Sequence, residues 1–473
     1  MSGTLNDFFP FEPTPSQAQA IEQLTLFTAG TGSQQLYVLK GYAGTGKTTL
    51  ISAYIEWLKS MQVSVLLMAP TGRAAKVLSS YSGELASTIH RSIYFYGAVD
   101  GVPVFKLQQN KRTNMVVIVD EASMIGNGGG LGTSFQMRER TLLDDLIQFT
   151  FSGKDCKIIF VGDVAQLPPV GTPESPALDL QYVKGRYPVL GFGSELTDVT
   201  RQALNSGILR HASMIRTKLM ENDFELPLFN FSGVTDCRKL MGPEIEEEVS
   251  RCYDLVGVDQ TVVICRSNKQ ANAYNKYIRY QIFFFEEELS AGDRLMVVKN
   301  NYFWLSEFEK GGFIANGDVI YVNRVISTEE KFGFRFADLS ITIEQLGGDP
   351  ITMEVKVLVD TLHSEVPALS RADSNRLYEE VSRSYLHILD RKTRSEALKK
   401  DPYFNAVQVK FAYAITCHKA QGGQWSHVFV DQGYLTEEQI DLSFFRWLYT
   451  AVTRASEQLY LLNFDDKFFV ETE

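Results

Sequence analysis

The feature that most constrains the fold of this sequence is the segment Gly41–Thr48, which reads GYAGTGKT and fits the pattern GxxxxGK[ST]. An apolar run, Leu36–Lys40 (LYVLK), stands directly before it, and the segment after it, TLISAYIEWLKSM, has helical periodicity. In such a strand–loop–helix unit the glycines let backbone amides turn inward around a phosphate, Lys47 reaches the β- and γ-phosphates, and the Thr48 hydroxyl can ligate Mg²⁺. The segment therefore predicts a nucleotide-binding α/β fold.

The first half of the chain alternates short β-branched runs with segments of helical period, a pattern typical of a parallel sheet flanked by helices. Besides Leu36–Lys40, the clearest strand candidates are Val63–Ala69 (VSVLLMA), Met115–Val119 (MVVIV) and Lys157–Val161 (KIIFV). Each run is followed by Gly, Pro or Asp. Because ligands of an open α/β sheet bind beyond the carboxyl ends of its strands, functional residues are expected at these endings.

A second α/β unit is indicated by a strand pattern that starts at Thr261 (TVVICRSN) and is completed far downstream by His427–Val430 (HVFV) and Gln458–Leu462 (QLYLL). The intervening stretch, roughly 290–408, is β-rich at first and then charged and helical around Ser370–Lys400. It predicts a small SH3-like β-barrel with a helical arm, inserted in the second unit. The predicted domains are 1–90 with 113–200 (first core), 91–112 (insert of the first core), 201–290 with 408–473 (second core) and 291–407 (barrel and arm).

Two adjacent carboxylates, Asp120 and Glu121, follow the run Met115–Val119. In a P-loop enzyme the first would hold Mg²⁺, while the second would orient and deprotonate the attacking water. The segment Gly162–Val170 (GDVAQLPPV) follows the fourth strand and would bring Gln166 near the γ-phosphate. Its two prolines would stiffen the loop, so that a phosphate-dependent movement passes on as a rigid displacement.

The composition is that of an ordinary soluble globular protein, with 44% hydrophobic and 22% charged residues. The five cysteines, at positions 156, 237, 252, 265 and 417, form no CxxC pair, so we expect reduced core thiols. No apolar stretch approaches the ~18 residues that span a bilayer, and the N-terminus lacks a signal-peptide pattern. We therefore expect a cytoplasmic protein with no membrane attachment. The net charge of −11 argues against electrostatic coating of duplex DNA but permits a narrow basic channel.

Taken in order, these segments resemble superfamily 1 helicases, most closely the RecD-like and phage Dda-like helicases of the group that moves 5′ to 3′. The resemblance covers nearly the whole chain. It implies two RecA-like cores that hydrolyse ATP with Mg²⁺ at their interface and translocate on single-stranded DNA, with single-strand/duplex junctions as substrates and a monomer as the working form. The compact length is nearer the Dda-like size, which favours a free-standing enzyme over a subunit of a nuclease complex.

The resemblance assigns roles to further segments. TPSQAQA (Gln17) is similar to the adenine-recognising Q-motif, APTGRAAKVL with STIH to the DNA-facing motifs of the first core, and YAITCHKAQG to the DNA-binding motif of the second. LTDVTRQ (Arg201) and LYTAVTRA (Arg454) resemble the motifs whose arginines contact the γ-phosphate. Arginines supplied from across a cleft would make hydrolysis depend on closure of the cores. After Arg454 the chain continues with Ala455 and Ser456, where many relatives carry a glycine or a basic residue.

The predicted site residues fall into four groups. Catalytic roles are assigned to Lys47, Glu121, Gln166, Arg201 and Arg454. ATP binding is assigned to Gln17, Gly41, Tyr42, Ala43, Gly44, Thr45, Gly46, Lys47, Thr48 and Thr49, and metal binding to Thr48 and Asp120. DNA binding is assigned to Pro70, Thr71, Thr88, His90, Phe105, Thr416 and His418, the last two in a motif that continues with Gln421 and Gly422.

The segment Tyr94–Leu107 (YFYGAVDGVPVFKL) predicts a β-hairpin, because two apolar-rich arms flank Asp100-Gly101, a dipeptide that favours a type I′ turn. In the helicases that this chain resembles, the corresponding insert carries a pin where the duplex parts. Phe105 is our candidate for stacking on the last base pair, with Tyr94, Phe95 and Tyr96 as alternatives. The alternative reading is a hairpin whose aromatic side chains pack on the core.

Two other functions fit the same motifs. An RNA or RNA–DNA helicase would use the same core motifs, since only contact with the 2′-hydroxyl separates the two substrates. A nucleotide-dependent switch that binds DNA without unwinding it would not need a complete hydrolytic set, so Glu121, Arg201 and Arg454 argue against it.

Overall fold

The computed structural model describes residues 3–32, 34–99, 102–127, 140–200, 206–305, 313–344 and 348–470, with the backbone alone for 96–99 and 102–105. Within these ranges two parallel sheets form two cores, and a closed β-barrel is inserted in the second. The predicted fold class, two RecA-like cores with a hairpin insert and a barrel insert, is confirmed.

The first core is built on a six-stranded, wholly parallel sheet. Its strands are β1 (Gln35–Gly41), β2 (Ser64–Ala69), β3 (Ala86–Thr88), β6 (Met115–Val119), β7 (Lys157–Gly162) and β8 (Leu190–Leu196), in the spatial order β3-β2-β6-β7-β1-β8. Its helices are α1 (Leu5–Phe8), α2 (Pro15–Ala29), α3 (Lys47–Ser60), α4 (Gly72–Ser82), α5 (Ile89–Ile93), α6 (Leu142–Phe151) and α7 (Leu180–Arg186). Two hydrophobic clusters cover the two faces of this sheet. Burial on both faces explains why four of the strands are continuous apolar runs in the sequence.

The predicted hairpin is present. Strands β4 (Tyr94–Val99) and β5 (Val102–Leu107) pair in antiparallel fashion, and Val99 pairs with Val102, which leaves a two-residue connection. Asp100 and Gly101, on which the predicted turn type rests, lie outside the described residues.

The second core is a five-stranded parallel sheet. Its strands are β9 (Cys237–Leu240), β10 (Thr261–Cys265), β16 (Ala414–Thr416), β17 (Trp425–Asp431) and β18 (Ala455–Leu462), in the order β16-β10-β17-β18-β9. Its helices are α8 (Gly207–Glu221), α9 (Ile245–Val256), α10 (Asn268–Tyr277), α13 (Cys417–Ala420) and α14 (Leu442–Val452). The three strands predicted from the sequence are confirmed, whereas the short β9 and β16 carry no comparable apolar run.

The insert is a closed barrel of five strands with a helical arm. Its strands are β11 (Arg294–Val297), β12 (Val319–Lys331), β13 (Phe334–Ile343), β14 (Ile351–Leu358) and β15 (Val407–Phe411), and the arm consists of α11 (Arg371–Arg383) and α12 (Arg391–Lys399). Strand β15 closes the barrel by pairing with β11 and β14. The insert therefore extends to Phe411, a few residues past the predicted limit at 407, because closure needs a strand that returns from beyond the arm.

Hydrophobic packing joins these parts. One cluster unites Tyr42, Ala165 and Leu167 of the first core with residues of α8 and α14, so an apolar contact lies directly beside the P-loop. Another is continuous from the second core into the barrel, and a third holds the arm on the barrel surface.

All five cysteines are free and buried, as expected. Among the described residues no helix is long and apolar enough to cross a membrane.

Candidate active site and nucleic-acid interface

The P-loop joins the end of β1 to the start of α3. Gly44 and Gly46 adopt φ angles of 75° and 82°, a left-handed region in which a side chain is strained. At Gly46 an added Cβ would also lie 2.5 Å from the amide nitrogen of Gln17. The Lys47 ammonium donates to the carbonyl oxygens of Gly41 (2.6 Å) and Tyr42 (2.9 Å). The loop therefore has the predicted conformation for backbone-amide phosphate binding, with its lysine folded over the loop.

Gln17 is buried against the P-loop. Its amide nitrogen donates to the carbonyl of Thr45 at 2.9 Å, and its amide oxygen accepts from the backbone N–H of Thr14, at the start of α2. Both ends of the carboxamide are therefore bonded within the first core. These hydrogen bonds hold Gln17 against the P-loop. Adenine recognition by Gln17 stays a prediction.

The two carboxylates after β6 differ in their surroundings. Asp120 accepts a hydrogen bond from the Tyr81 hydroxyl at 2.6 Å and one from the backbone N–H of Glu121 at 2.8 Å. Burial, reinforced by the charge of Glu121, raises the pKa of Asp120 above its ordinary value. A cation beside Asp120 would reverse this shift, since it favours the ionised form.

Glu121 has a φ of 50°, a left-handed conformation that is uncommon for a residue with a side chain and that tends to cluster at functional sites. Its carboxylate lies 3.6 Å from Nη1 of Arg454, which comes from the second core. Arg454 is almost fully buried and also donates to the carbonyls of Thr450 and Gly423. The structure thus brings a predicted base and a predicted arginine finger together across the cleft.

The end of β7 contributes a residue that the sequence reasoning passed over. Asp163 is 1% exposed, and burial raises the pKa of its carboxyl group. It lies 3.9 Å from the Lys47 ammonium and accepts a hydrogen bond from the Tyr449 hydroxyl at 2.7 Å. Gln166, the residue singled out in this segment, is buried too, and its amide oxygen has no hydrogen-bond partner. A carboxyl placed directly after a strand, in GDVAQ, was the available signal for Asp163.

A cavity of about 340 Å³ lies beside these groups, between the two cores. Its lining includes Tyr42, Asp163 and Gln166 from the first core and Leu219, Leu442 and Arg446 from the second. Within the described ranges no group of three His, Cys, Asp or Glu side chains could hold a metal ion. Mg²⁺ that is held together with substrate phosphates usually has only one or two carboxylate ligands from the protein.

The DNA-binding candidates of the first core lie at the carboxyl edge of its sheet. Thr71 caps α4 by accepting from the N–H of Ala74, and Thr88 caps α5 by accepting from the N–H of Arg91. His90 is half-buried in α5 with its ring 5.7 Å from that of Tyr94, and burial lowers its pKa. Two helix N-termini at one edge favour an anion there.

The corresponding candidates of the second core meet this edge. Thr416 precedes α13, and His418 is exposed on it. A Cβ added to Gly422 would lie 3.3 Å from the Thr71 hydroxyl oxygen, so glycine permits the close approach of the two cores. Next to it, Arg73 stacks 3.6 Å above the Trp425 ring and donates to the carbonyl of Gln424. The structure therefore assembles both predicted DNA motifs into one surface.

The barrel also reaches this surface. The Lys419 ammonium of α13 donates to Asn316 at 2.8 Å, and Lys76 of α4 pairs with Glu344 at 3.0 Å. An added Cβ at Gly72 would meet a carboxylate oxygen of Asp318 at 2.3 Å. The barrel is thus in contact with α4 and α13, the helices that lie next to DNA-binding candidates of both cores.

The side chains of two predicted residues, Arg201 and Phe105, are not described. Arg201 and the neighbouring Gln202 lie outside the described residues, and of Phe105 only the backbone, in β5, is described. Pro70 and Thr49 lie where predicted, between β2 and α4 and in the first turn of α3.

The two ends of the chain match two protein families. Residues 13–223 match the AAA domain, and residues 411–462 match the UvrD-like helicase C-terminal domain. The first match contains the P-loop and the Asp120–Glu121 pair, and the second contains Thr416, His418 and Arg454.

Two relatives of this chain are named DNA helicases. The chain is similar to the ATP-dependent RecD2 DNA helicase of Deinococcus radiodurans, with 31% identity over 41% of this chain and 23% of that protein. It is also similar to the ATP-dependent DNA helicase dda of Enterobacteria phage T4, with 30% identity over 55% of this chain and 55% of that protein. The matches thus span a quarter to about half of these relatives. A crystal structure of Pif1 helicase from Bacteroides in complex with ADP-AlF3 and ssDNA covers 98% of this chain and 95% of its own, at 15% identity and a TM-score of 0.47.

Proposed function

This chain belongs to the superfamily 1 helicases, in the group of the RecD-like and Dda-like proteins, and from that premise we propose that it is an ATP-dependent DNA helicase that moves 5′ to 3′ on single-stranded DNA. The observation that carries the proposal is the contact between Glu121 of the first core and Arg454 of the second, beside the Lys47 loop. A catalytic set divided between two cores couples hydrolysis to their relative movement.

The roles in hydrolysis follow from the positions of the side chains. Lys47 turns from the loop carbonyls to the β- and γ-phosphates of ATP. Glu121 lies at the cleft, partly exposed, and takes a proton from the attacking water. Arg454 donates to the charge that develops on the γ-phosphate, and Arg201 is proposed for the same task.

Mg²⁺ fits the oxygen donors that the site offers. The Thr48 hydroxyl and the Asp120 carboxylate would hold it together with phosphate oxygens and water. When bound, it neutralises charge on the β- and γ-phosphates. The Tyr81 hydroxyl and the N–H of Glu121 both donate to the Asp120 carboxylate and keep it oriented.

The DNA strand is proposed to run over the edge formed by α4, α5 and α13. Thr71, Thr88, Thr416 and His418 are the proposed backbone contacts there, with the helix N-termini supplying N–H donors. Such a narrow surface is compatible with a net charge of −11, because single-strand binding needs a local groove and no basic coat.

The experiment that tests the function compares unwinding of matched duplexes that carry a 5′ or a 3′ single-stranded tail, in DNA and RNA versions, with Lys47→Ala as the inactive control. Unwinding that needs ATP and a 5′ DNA tail is expected. Preference for a 3′ tail would refute the polarity, and preference for RNA would refute the substrate. ATP hydrolysis without any strand separation would identify a nucleotide-dependent switch.

A further inference from the structure

The hydroxyl group of Tyr449 connects the two cores at the P-loop. Tyr449 lies in α14 of the second core, yet its oxygen accepts a hydrogen bond from the backbone N–H of Ala43 at 2.8 Å. The same hydroxyl donates to the Asp163 carboxylate at 2.7 Å. Both partners belong to the first core, and Asp163 faces Lys47. One side chain therefore joins the phosphate-binding loop, the end of β7 and the second core.

The hydroxyl is suited to this position because it stays neutral. Tyr449 is 1% exposed, and burial, together with the charge of Asp163, raises its pKa well above the ordinary value for tyrosine. A neutral phenol can accept from one group and donate to another at the same time. Leaving either partner unpaired in this buried place is unfavourable.

The N–H that Tyr449 holds belongs to the third residue of the P-loop segment Gly41–Thr48. The amides at the start of α3 are where such a loop binds the inner phosphates. Ala43 lies ahead of the positive-φ residues Gly44 and Gly46, on the side of the loop that touches the second core. The proposed function makes the terminal phosphate of a triphosphate the ligand group that would reach the Ala43 N–H from that side.

Two further hydrogen bonds join the second core to the loop that follows β7. The Thr450 hydroxyl accepts a hydrogen bond from the backbone N–H of Leu167 at 2.8 Å. The side-chain amide of Gln421, next to α13, donates to the carbonyl of Leu167 at 2.7 Å. A shift of Tyr449 relative to the P-loop thus acts on the contact that leads to the DNA-binding candidates.

We propose that Tyr449 is a positioning residue that distinguishes ATP from ADP: its hydroxyl holds the Ala43 N–H and Asp163 when no terminal phosphate is bound, and gives up the Ala43 N–H when one binds. The inference rests on the proposed function, because it takes the P-loop ligand to be ATP. The competition between the Tyr449 hydroxyl and the phosphate for this N–H predicts the sign of the change in affinity. Removing the hydroxyl leaves the Ala43 N–H unpaired in the ATP-free protein, so a ligand that satisfies this N–H gains affinity.

The test is binding of a non-hydrolysable ATP analogue and of ADP, without DNA, to wild type and to Tyr449→Phe. We expect the ratio of ATP-analogue affinity to ADP affinity to rise about three- to tenfold, which corresponds to the loss of one competing hydrogen bond. An unchanged or reduced ratio overturns the proposal. Since this measurement needs no hydrolysis and no unwinding, its failure is distinguishable from failure of the helicase function.

One variant serves as a matched control. Tyr460→Phe removes another buried hydroxyl of the second core, which contacts Arg251 and Cys252 away from the cleft. It is expected to keep the wild-type affinity ratio. If Tyr460→Phe raises the ratio as much as Tyr449→Phe does, the effect is loosening of the second core and the proposal is wrong.

A second measurement covers the case in which Tyr449→Phe is unstable. 3-Fluorotyrosine placed at position 449 keeps the hydroxyl and reports its surroundings by ¹⁹F NMR. The resonance is expected to shift with the ATP analogue and to stay in place with ADP. Equal shifts with both nucleotides, or none with either, overturn the proposal.

Discussion

Lys47 lies at the first position of α3, and its ammonium is held by the carbonyls of Gly41 and Tyr42 with Asp163 nearby. Lys47→Ala removes the main side-chain cation for the β- and γ-phosphates in both the ground state and the transition state. We expect ATP hydrolysis to fall by at least ~100-fold. The measurement is DNA-stimulated phosphate release, with Lys59→Ala, an exposed lysine near the other end of α3, as the control. Near-normal hydrolysis by the Lys47 variant would refute the P-loop assignment.

Glu121 is the proposed base, and its removal should separate binding from turnover. Glu121→Gln keeps the size and the polarity of the side chain but cannot accept a proton, so turnover should fall by ~10² to 10⁴-fold while ATP and DNA still bind. Single-turnover hydrolysis and nucleotide binding measure the two effects. Glu84→Gln, at a partly exposed glutamate, is the matched control. Equal losses of ATP binding and of turnover would mean that Glu121 stabilises bound ATP in the ground state, and would contradict its role as the base.

Arg454 is the other residue whose role depends on the cleft. It lies 3.6 Å from Glu121 and is bonded to carbonyls of its own core, so it is already oriented before any nucleotide contact. Arg454→Ala should cut turnover by ~10³-fold or more and change ATP affinity less, because a finger from across a cleft acts mostly in the closed transition state. Arg201→Ala is expected to behave in the same way.

The measurement for Arg454 is the separation of kcat from ATP affinity at saturating DNA. Arg251→Ala, which removes an arginine paired with Glu248 on the outer side of the second core, is the control. A loss that appears only as weaker ATP binding, with unchanged turnover at saturation, would contradict the assignment.

Among the elements, the hairpin of β4 and β5 is the one whose removal should separate ATPase activity from unwinding. Both strands form a two-stranded sheet that is separate from the six-stranded sheet. Replacing Ala98 to Phe105 with a short Gly/Ser turn should leave single-strand-stimulated hydrolysis largely intact, because the P-loop and the proposed strand contacts lie elsewhere. Unwinding should fail, since a stacked aromatic at the junction is worth ~1 to 3 kcal/mol per base.

The hairpin experiment needs thermal stability as its companion measurement. Surviving unwinding would rule out a separation pin. A joint loss of unwinding and ATPase activity in a protein of unchanged melting temperature would do the same, because it would place the hairpin within the translocation machinery.

At the scale of the whole molecule, Gln421 connects the nucleotide cleft with the DNA-binding edge. Its amide donates to the carbonyl of Leu167, so a residue of the second core's DNA motif is bonded to the loop that follows Asp163. Gln421→Ala leaves that buried carbonyl unpaired, at a cost of ~1 to 3 kcal/mol. We expect the stimulation of ATP hydrolysis by single-stranded DNA to drop ~5-fold or more, while hydrolysis without DNA changes less.

The measurement is the ratio of ATPase rates with and without single-stranded DNA. Gln432→Ala is the control, because Gln432 is equally buried in the second core and accepts from Asp465 far from the cleft. Equal loss of stimulation in both variants would show that the effect is destabilisation of the second core.

Much of the molecule is encoded in short stretches of sequence. The P-loop, the Asp120–Glu121 pair and most of the strands could be predicted because each is a contiguous strand-and-turn pattern whose period and glycines are visible without any partner. The hairpin of β4 and β5 was predictable for the same reason, since its two strands are neighbours in the chain. The short β3, β9 and β16 were not, because three or four residues give no readable period.

What the sequence by itself determined, therefore, is the place of the P-loop and of the Asp120–Glu121 pair in the first core, and the succession of two α/β units with a β-rich insert. Only the tertiary structure decided how these parts meet. Tyr449 bonds to Asp163 across 286 positions of chain, and the barrel closes with β15 after the helical arm. Such contacts leave no periodic trace in either segment, because the free energy that selects them comes from burial and hydrogen bonding between residues distant in the chain.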